Sequence, residues 1–152
     1  MIKKISLFAV SLLPWFLSSI IPLNYKYYDT INKPFFAPPK IFYPIAWTIM
    51  YILIAITIYT ILRNYKFKDI KPSYKISLLV NYIFNQSYTL LFFGLNNPFL
   101  GFVACLGTFL SALFLYEETS LLNSKISKLL YPYILLLVFA TVLSLSIYLL
   151  NL

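Results

Sequence analysis

Histidine is absent from this chain and cysteine occurs once, as Cys105, which excludes disulfide frameworks, zinc sites and imidazole acid–base catalysis. Charge is scarce too: 11% of residues are charged, with 4 acids against 12 lysines and arginines, and they sit in a few short stretches. A soluble domain of this length keeps a far more charged exterior. The net charge of +8 does not read as a nucleic-acid footprint, because the basic residues flank apolar runs and line no face of a polar domain. Alternation of apolar and polar residues over segments of about ten is missing, and with it the signature of a transmembrane β-barrel. No small-residue cleavage site follows the basic start Met1 to Lys4, so the first apolar run reads as a retained span rather than a signal peptide. No internal repeat is visible, and an odd number of spans argues against a duplicated transporter.

What remains is hydrophobic. Apolar residues make up 61% of the chain and aromatic ones 20%, with a mean hydropathy of +0.83, against roughly 45–50% apolar in soluble domains. Lipid is the solvent that suits this composition, and inside lipid helices satisfy every backbone polar group. The chain therefore reads as an all-α polytopic membrane protein. It forms one domain over residues 1–152, with transmembrane helices at about 5–22, 42–62, 76–93, 99–116 and 130–150, each near the ~20 residues that cross a ~30 Å hydrocarbon core. Pro14 implies a kink in the first span, with Trp15, Ser18, Ser19 and neighbouring helices available to the backbone groups it frees. The longest connection joins the first two spans. Pro34, Pro38 and Pro39 make it semi-rigid and hold Tyr27, Tyr28, Phe35 and Phe36 near the interface.

The third span carries Asn81, Asn85 and Gln86 at mid-membrane depth, where amides belong on the bundle interior. Asn81 and Asn85 share a face by their i, i+4 spacing. Both readings of that pair stay open: interhelical hydrogen bonding, or contact with a ligand. Gly94, Asn96, Asn97 and Pro98 mark a tight turn into the fourth span. There Gly101, Cys105, Thr108 and Ala112 form a small-residue stripe suited to close packing within one bundle or to a homodimer contact. Nine basic residues lie at the N-terminus (Lys3, Lys4), in the second loop (Arg63, Lys66, Lys68, Lys71, Lys75) and in the fourth (Lys125, Lys128), against three in the first (Lys26, Lys33, Lys40). By the positive-inside rule the N-terminus is cytoplasmic, and the first loop and C-terminus face out. The abundance of Ile, Lys, Asn, Tyr and Phe suggests an AT-rich bacterial genome, and so the inner or plasma membrane of a bacterium.

Four stretches point further. Tyr28-Asp29-Thr30-Ile31-Asn32-Lys33-Pro34-Phe35-Phe36-Ala37-Pro38-Pro39 is followed by Phe42-Tyr43-Pro44-Ile45-Ala46-Trp47-Thr48-Ile49-Met50-Tyr51. Then come Asn81-Tyr82-Ile83-Phe84 with Phe92-Phe93-Gly94-Leu95-Asn96-Asn97-Pro98, and finally Pro132-Tyr133 with Phe139-Ala140-Thr141. In that order, over nearly the whole chain, they resemble the TspO/translocator protein family, also called tryptophan-rich sensory proteins or peripheral benzodiazepine receptors.

That resemblance implies a five-helix bundle, often dimeric, with a pocket for porphyrins and other flat hydrophobic compounds. Carried over by motif, Tyr28, Pro34, Phe36, Pro38 and Pro39 roof the pocket, with Trp47 and Tyr51 beneath. Asn81, Phe84 and Asn85 line it from the third helix, and Leu136, Phe139, Ala140 and Ser144 from the fifth. A flat aromatic ligand suits such an apolar slot with few polar groups, and Lys33 or Lys40 at the mouth would attract a propionate, weakly because exposed. No resident cofactor is required; a protoporphyrin- or haem-like tetrapyrrole is the expected ligand. Where the family commonly has tryptophan this chain has Phe36, Phe84 and Leu136, and Val142 stands where tyrosine is usual. Porphyrin degradation of the kind ascribed to some bacterial relatives, which involves pocket tryptophans, is thereby disfavoured. A receptor or sensor is the first reading, a transporter the second and a porphyrin-degrading enzyme the third.

Overall fold

Proline and asparagine set where the helices begin. The computed structural model describes residues 2–20, 24 and 26–152, and no β-strand occurs among them. Helix α1 (Ile2–Leu12) gives way at Pro14 to a 3-10 helix, Leu13–Ile20, because proline has no N–H to donate and its ring clashes with the carbonyl four residues back. The expected end of this span at Pro22 lies outside the described residues. Helix α2 (Tyr27–Thr30) is a single turn in the first loop. Helix α3 (Phe42–Asn64) follows directly on the Pro38-Pro39 pair, with the Phe42 N–H donating to the Pro39 carbonyl at 2.9 Å.

Helices α4 (Pro72–Thr89) and α5 (Pro98–Leu122) each place a proline in the first turn, where its missing donor costs nothing. A π-turn, Leu90–Gly94, continues α4. Asn96 then adopts the left-handed conformation (φ 50°), and the Asn97 side chain caps α5 by accepting from the Leu100 N–H at 3.0 Å. Helix α5 passes the expected limit at 116 by more than a turn. The fourth connection is helical too: α6 (Ser124–Ser127), capped by Asn123, and a 3-10 turn, Lys128–Leu130, lead into α7 (Tyr131–Leu150).

Three stretches have the length and apolarity of membrane spans: Phe42–Asn64, Pro98–Leu122 and Ser124–Leu150, with 23, 25 and 27 residues. The first span is a shorter apolar stretch, Lys4–Ile20. The α4 span is the least apolar, for a local reason. Its buried residues Tyr74, Ser77, Asn81 and Asn85 recur at helical spacing, so its polar side chains face inward. Val10, Ile49, Ile83, Phe114 and Leu135 are among the many large apolar side chains exposed on the outer surface, an aggregation hazard in water and an ordinary boundary in lipid. The fold is a five-helix membrane bundle.

The helices close into a ring. The first span packs on α3 and α4, α4 packs extensively on α5, and α5 on α7. The ring is loosest between α3 and α7, because α3 meets the last helix mainly through the Lys128–Leu130 turn that precedes it. Two glycines permit the tight α4–α5 approach. A Cβ on Gly101 would lie 2.5 Å from the Phe92 ring, and one on Gly107 would lie 2.4 Å from the Phe84 ring. One core cluster gathers Trp15, Ile54, Ile61, Leu115, Leu130 and Leu137. A second, under the first loop, gathers Ile31, Phe92, Leu143 and Ile147 with Tyr28, Tyr43 and Phe139 packed against it.

Candidate ligand-binding site

The loose α3–α7 seam contains a crevice. Phe42, Tyr43, Ala46 and Trp47 line it from α3, and Leu136, Phe139, Ala140 and Leu143 from α7. Each set falls on one helical face, at i, i+3 or i+4 spacing. The Tyr43 hydroxyl bonds the Tyr28 hydroxyl at 2.8 Å, which leaves the walls effectively carbon. The cavity measures about 20 Å³, room for a single water molecule. Its rim is aromatic, with the rings of Phe36 and Phe42 lying 6.3 and 6.5 Å from that of Phe139.

The first loop is fastened over this region by polar contacts. Asn32 and Asn151 clamp it to the end of α7: the Asn32 N–H donates to Asn151 Oδ1 and Asn151 Nδ2 donates to the Asn32 carbonyl, both at 2.9 Å. Lys33 Nζ donates to the Tyr28 and Ile31 carbonyls at 2.6 and 2.8 Å and lies over the Tyr28 ring. Lys40 forms an ion pair with Asp29. The two lysines expected to attract a ligand carboxylate are thus engaged within the loop. Tyr27 packs against Phe92, and its partial burial raises its phenol pKa above the ordinary value. Pro34 and Pro38 are half-buried and Pro39 is exposed, while Phe35 is fully exposed.

Beside the crevice lies a polar network. Trp47 connects the two: its ring is 5.8 Å from that of Tyr51 and 6.4 Å from that of Tyr133. The Tyr51 hydroxyl donates to Asn85 Oδ1 at 3.0 Å, and Asn85 Nδ2 donates to the Tyr133 hydroxyl at 3.2 Å. That hydroxyl donates in turn to Asn81 Oδ1 at 3.1 Å. Asn81 Nδ2 then reaches the Thr108 carbonyl and the Ser111 hydroxyl of α5 at 3.0 and 3.1 Å. Gln86 extends the network to the first span by donating to the Trp15 carbonyl at 3.0 Å and accepting from the Ser18 N–H at 2.9 Å. Tyr82 donates to the Pro14 carbonyl at 3.1 Å. Backbone groups in the 3-10 segment are therefore satisfied by α4, and the network joins all five spans.

A profile described as the TspO/MBR family matches residues 5–150. The chain belongs to the TspO/MBR family. It is similar to the tryptophan-rich protein TspO of Bacillus cereus, 36% identical over 138 residues that cover 90% of this chain and 89% of the relative. The protein of the same name from Archaeoglobus fulgidus is 35% identical over 82% of this chain and 80% of its own. The uncharacterized membrane protein YtaB of Bacillus subtilis is 30% identical over 88% and 85%.

Of the positions carried over by the TspO/MBR motifs, Trp47, Leu136, Phe139 and Ala140 meet at the crevice, Phe36 stands at its rim and Tyr28 ties the roof to Tyr43. Tyr51, Asn81 and Asn85 belong instead to the network, where their polar atoms are occupied by other helices. Phe84 packs on Gly107 of α5, away from the crevice. Ser144 is buried beside Tyr88 and Cys105. Gly101, Cys105, Thr108 and Ala112 are all buried within one chain, with Gly101 against Phe92 and Cys105 beside Thr141, so the small-residue stripe seats α4 and α7. Phe42, Tyr43, Ala46, Leu143, Gln86 and Tyr133 were not among the expected site residues. Helical spacing from Trp47 and Ala140 is the signal that points to the crevice residues among them.

Proposed function

We propose that this protein is a membrane receptor or sensor that takes a porphyrin-like tetrapyrrole, or another flat hydrophobic compound, into the seam between α3 and α7 beneath the first loop. One observation carries the reading: an apolar crevice with an indole on one wall and aromatic rings at its rim, on the least tightly packed seam of the bundle. Ligand sites of this kind measure roughly 300–1,000 Å³, so a macrocycle enters only as α3 and α7 part. An apolar seam favours that, because among the described residues no hydrogen bond joins α3 to α7 directly. Transport would need the whole bundle to alternate between two states, and a network through all five spans opposes it. Leucine at 136 argues against degradation and keeps a wall for a macrocycle. In the orientation that the basic residues favour, the roof faces outward from a bacterial inner membrane and the second loop faces the cytoplasm.

The test uses Trp15→Phe protein in nanodiscs, in which Trp47 is the sole indole. Titration with protoporphyrin is expected to quench its fluorescence saturably at micromolar concentration, and Ala140→Phe, which fills the crevice, to abolish saturation. Quenching that rises linearly with porphyrin and is the same with Ala140→Phe reports partition into lipid and sinks the proposal.

A further inference from the structure

At the opposite end of α3 from the roof lies a second concavity, of about 530 Å³, formed by Leu7 of α1 and the end of α3 with the residues that follow it. We propose that it binds the phosphate headgroup of an anionic phospholipid, with an acyl chain along its apolar wall. Arg63 and Lys66 line it, and no acidic side chain does. Both are exposed, and no ion pair among the described residues engages either. Lys4 adds charge at the same end: the Phe8 ring packs on Tyr59 at 5.9 Å, so α1 one turn earlier lies level with the end of α3.

Leu7, Leu62 and Phe67 form the apolar part of the wall, and Asn64 and Tyr65 complete the lining. They are held in place. The Tyr65 hydroxyl donates to the Leu122 carbonyl at 2.9 Å, tying the loop to α5, and Lys75 Nζ lies 4.5 Å from the centre of the Phe67 ring. Depth selects the ligand source. The apolar stretch of α3 ends at Arg63, so the groove opens where headgroups replace hydrocarbon. Free phosphate would meet the two cations and leave Leu7, Leu62 and Phe67 without a partner, whereas a phospholipid satisfies both halves. The carbonyl end of α3 repels an anion, so binding depends on the side chains.

Purified protein in detergent is offered phosphatidylglycerol and phosphatidylcholine with the same acyl chains, and retained lipid is read by native mass spectrometry. The expected result is one retained phosphatidylglycerol in roughly tenfold or greater preference, lost in Arg63→Gln/Lys66→Gln and kept in Lys125→Gln/Lys128→Gln, which removes equal charge elsewhere at the same end. Equal retention of the two lipids overturns the proposal, as does equal loss in both double variants or displacement by millimolar inorganic phosphate. The porphyrin titration of Arg63→Gln/Lys66→Gln protein is expected to be unchanged, so the two sites stand or fall separately.

Discussion

On one side of Trp47 the buried amides of Asn81 and Asn85 use oxygen and nitrogen alike in hydrogen bonds to other groups; on the other, carbon meets carbon around a cavity one water wide. The two regions are adjacent and differ in how their contacts resist displacement. Hydrogen bonds are directional, and a small shift in lipid leaves donors with no alternative partner. Dispersion contacts between Phe42, Leu136 and Phe139 have no preferred direction and re-form after sliding. A bundle built this way holds its helix order through the network and offers the least resistance to displacement at the seam.

Breaking the network should give the largest effect. Asn85→Leu keeps the side-chain volume nearly constant and removes the partner of Tyr51, Tyr133 and Gln86 together. At roughly 0.6–2 kcal/mol for each bond in a membrane, with buried hydroxyls left unpaired, the expected loss is about 2–4 kcal/mol. Reversible unfolding in mixed micelles measures it. A loss under about 1 kcal/mol would mean that the three partners find one another without the amide, and the contrast drawn between the two regions would fail.

Neighbouring leucines on α7 sharpen the same contrast at smaller scale. Leu137 is wholly buried in the Trp15–Leu130 core, while Leu136 is half-buried on the crevice wall. In lipid the transfer part of a leucine-to-alanine cost largely vanishes, because the tails are as apolar as the side chain, and the lost packing remains. Leu137→Ala should therefore cost about 1–3 kcal/mol and Leu136→Ala under about 1, since its wall already faces a void. Leu136→Ala should also lower the porphyrin concentration needed for half-saturation by enlarging the slot. Equal destabilisation by the two changes would mean that the seam is as tightly packed as the core.

Three of the spans were legible from hydropathy and length, in a solvent that admits only helices and closed barrels, while the short first span and the polar α4 stand out less by those measures. Inward-facing amides were legible for the same reason, as was the need for partners around Pro14. Their identities were not: whether Asn85 meets a ligand or Tyr133 depends on which helix stands beside α4, and residue spacing carries no information on that. Similarly, the period of Gly101, Cys105, Thr108 and Ala112 identifies a face of α5 but not the helix it meets. The crevice residues of α7 follow from one helical face, yet the narrowness of the crevice depends on side-chain packing across two helices. Lys33 and Lys40 were expected at the mouth to attract a carboxylate, because local sequence does not reveal that the Tyr28 and Ile31 carbonyls and Asp29 hold them.

Two buried tyrosines offer the finest test of the network's role. Tyr133 is fully buried and its hydroxyl both donates to Asn81 and accepts from Asn85. Tyr74 is almost as deeply buried, yet among the described residues its hydroxyl is the buried side-chain polar atom that has no partner. Removing one oxygen atom from each should therefore act in opposite senses. Tyr133→Phe strands an amide oxygen and an amide N–H in the bundle interior and should cost about 1–2 kcal/mol. Tyr74→Phe removes an unpaid desolvation penalty and should be neutral or stabilising by up to about 1 kcal/mol. Unfolding midpoints of the two variants, measured side by side in one detergent, decide the matter. If Tyr74→Phe destabilises as much as Tyr133→Phe, burial of the phenol rather than its hydrogen bonding sets the cost, and the network is packing with incidental polar atoms.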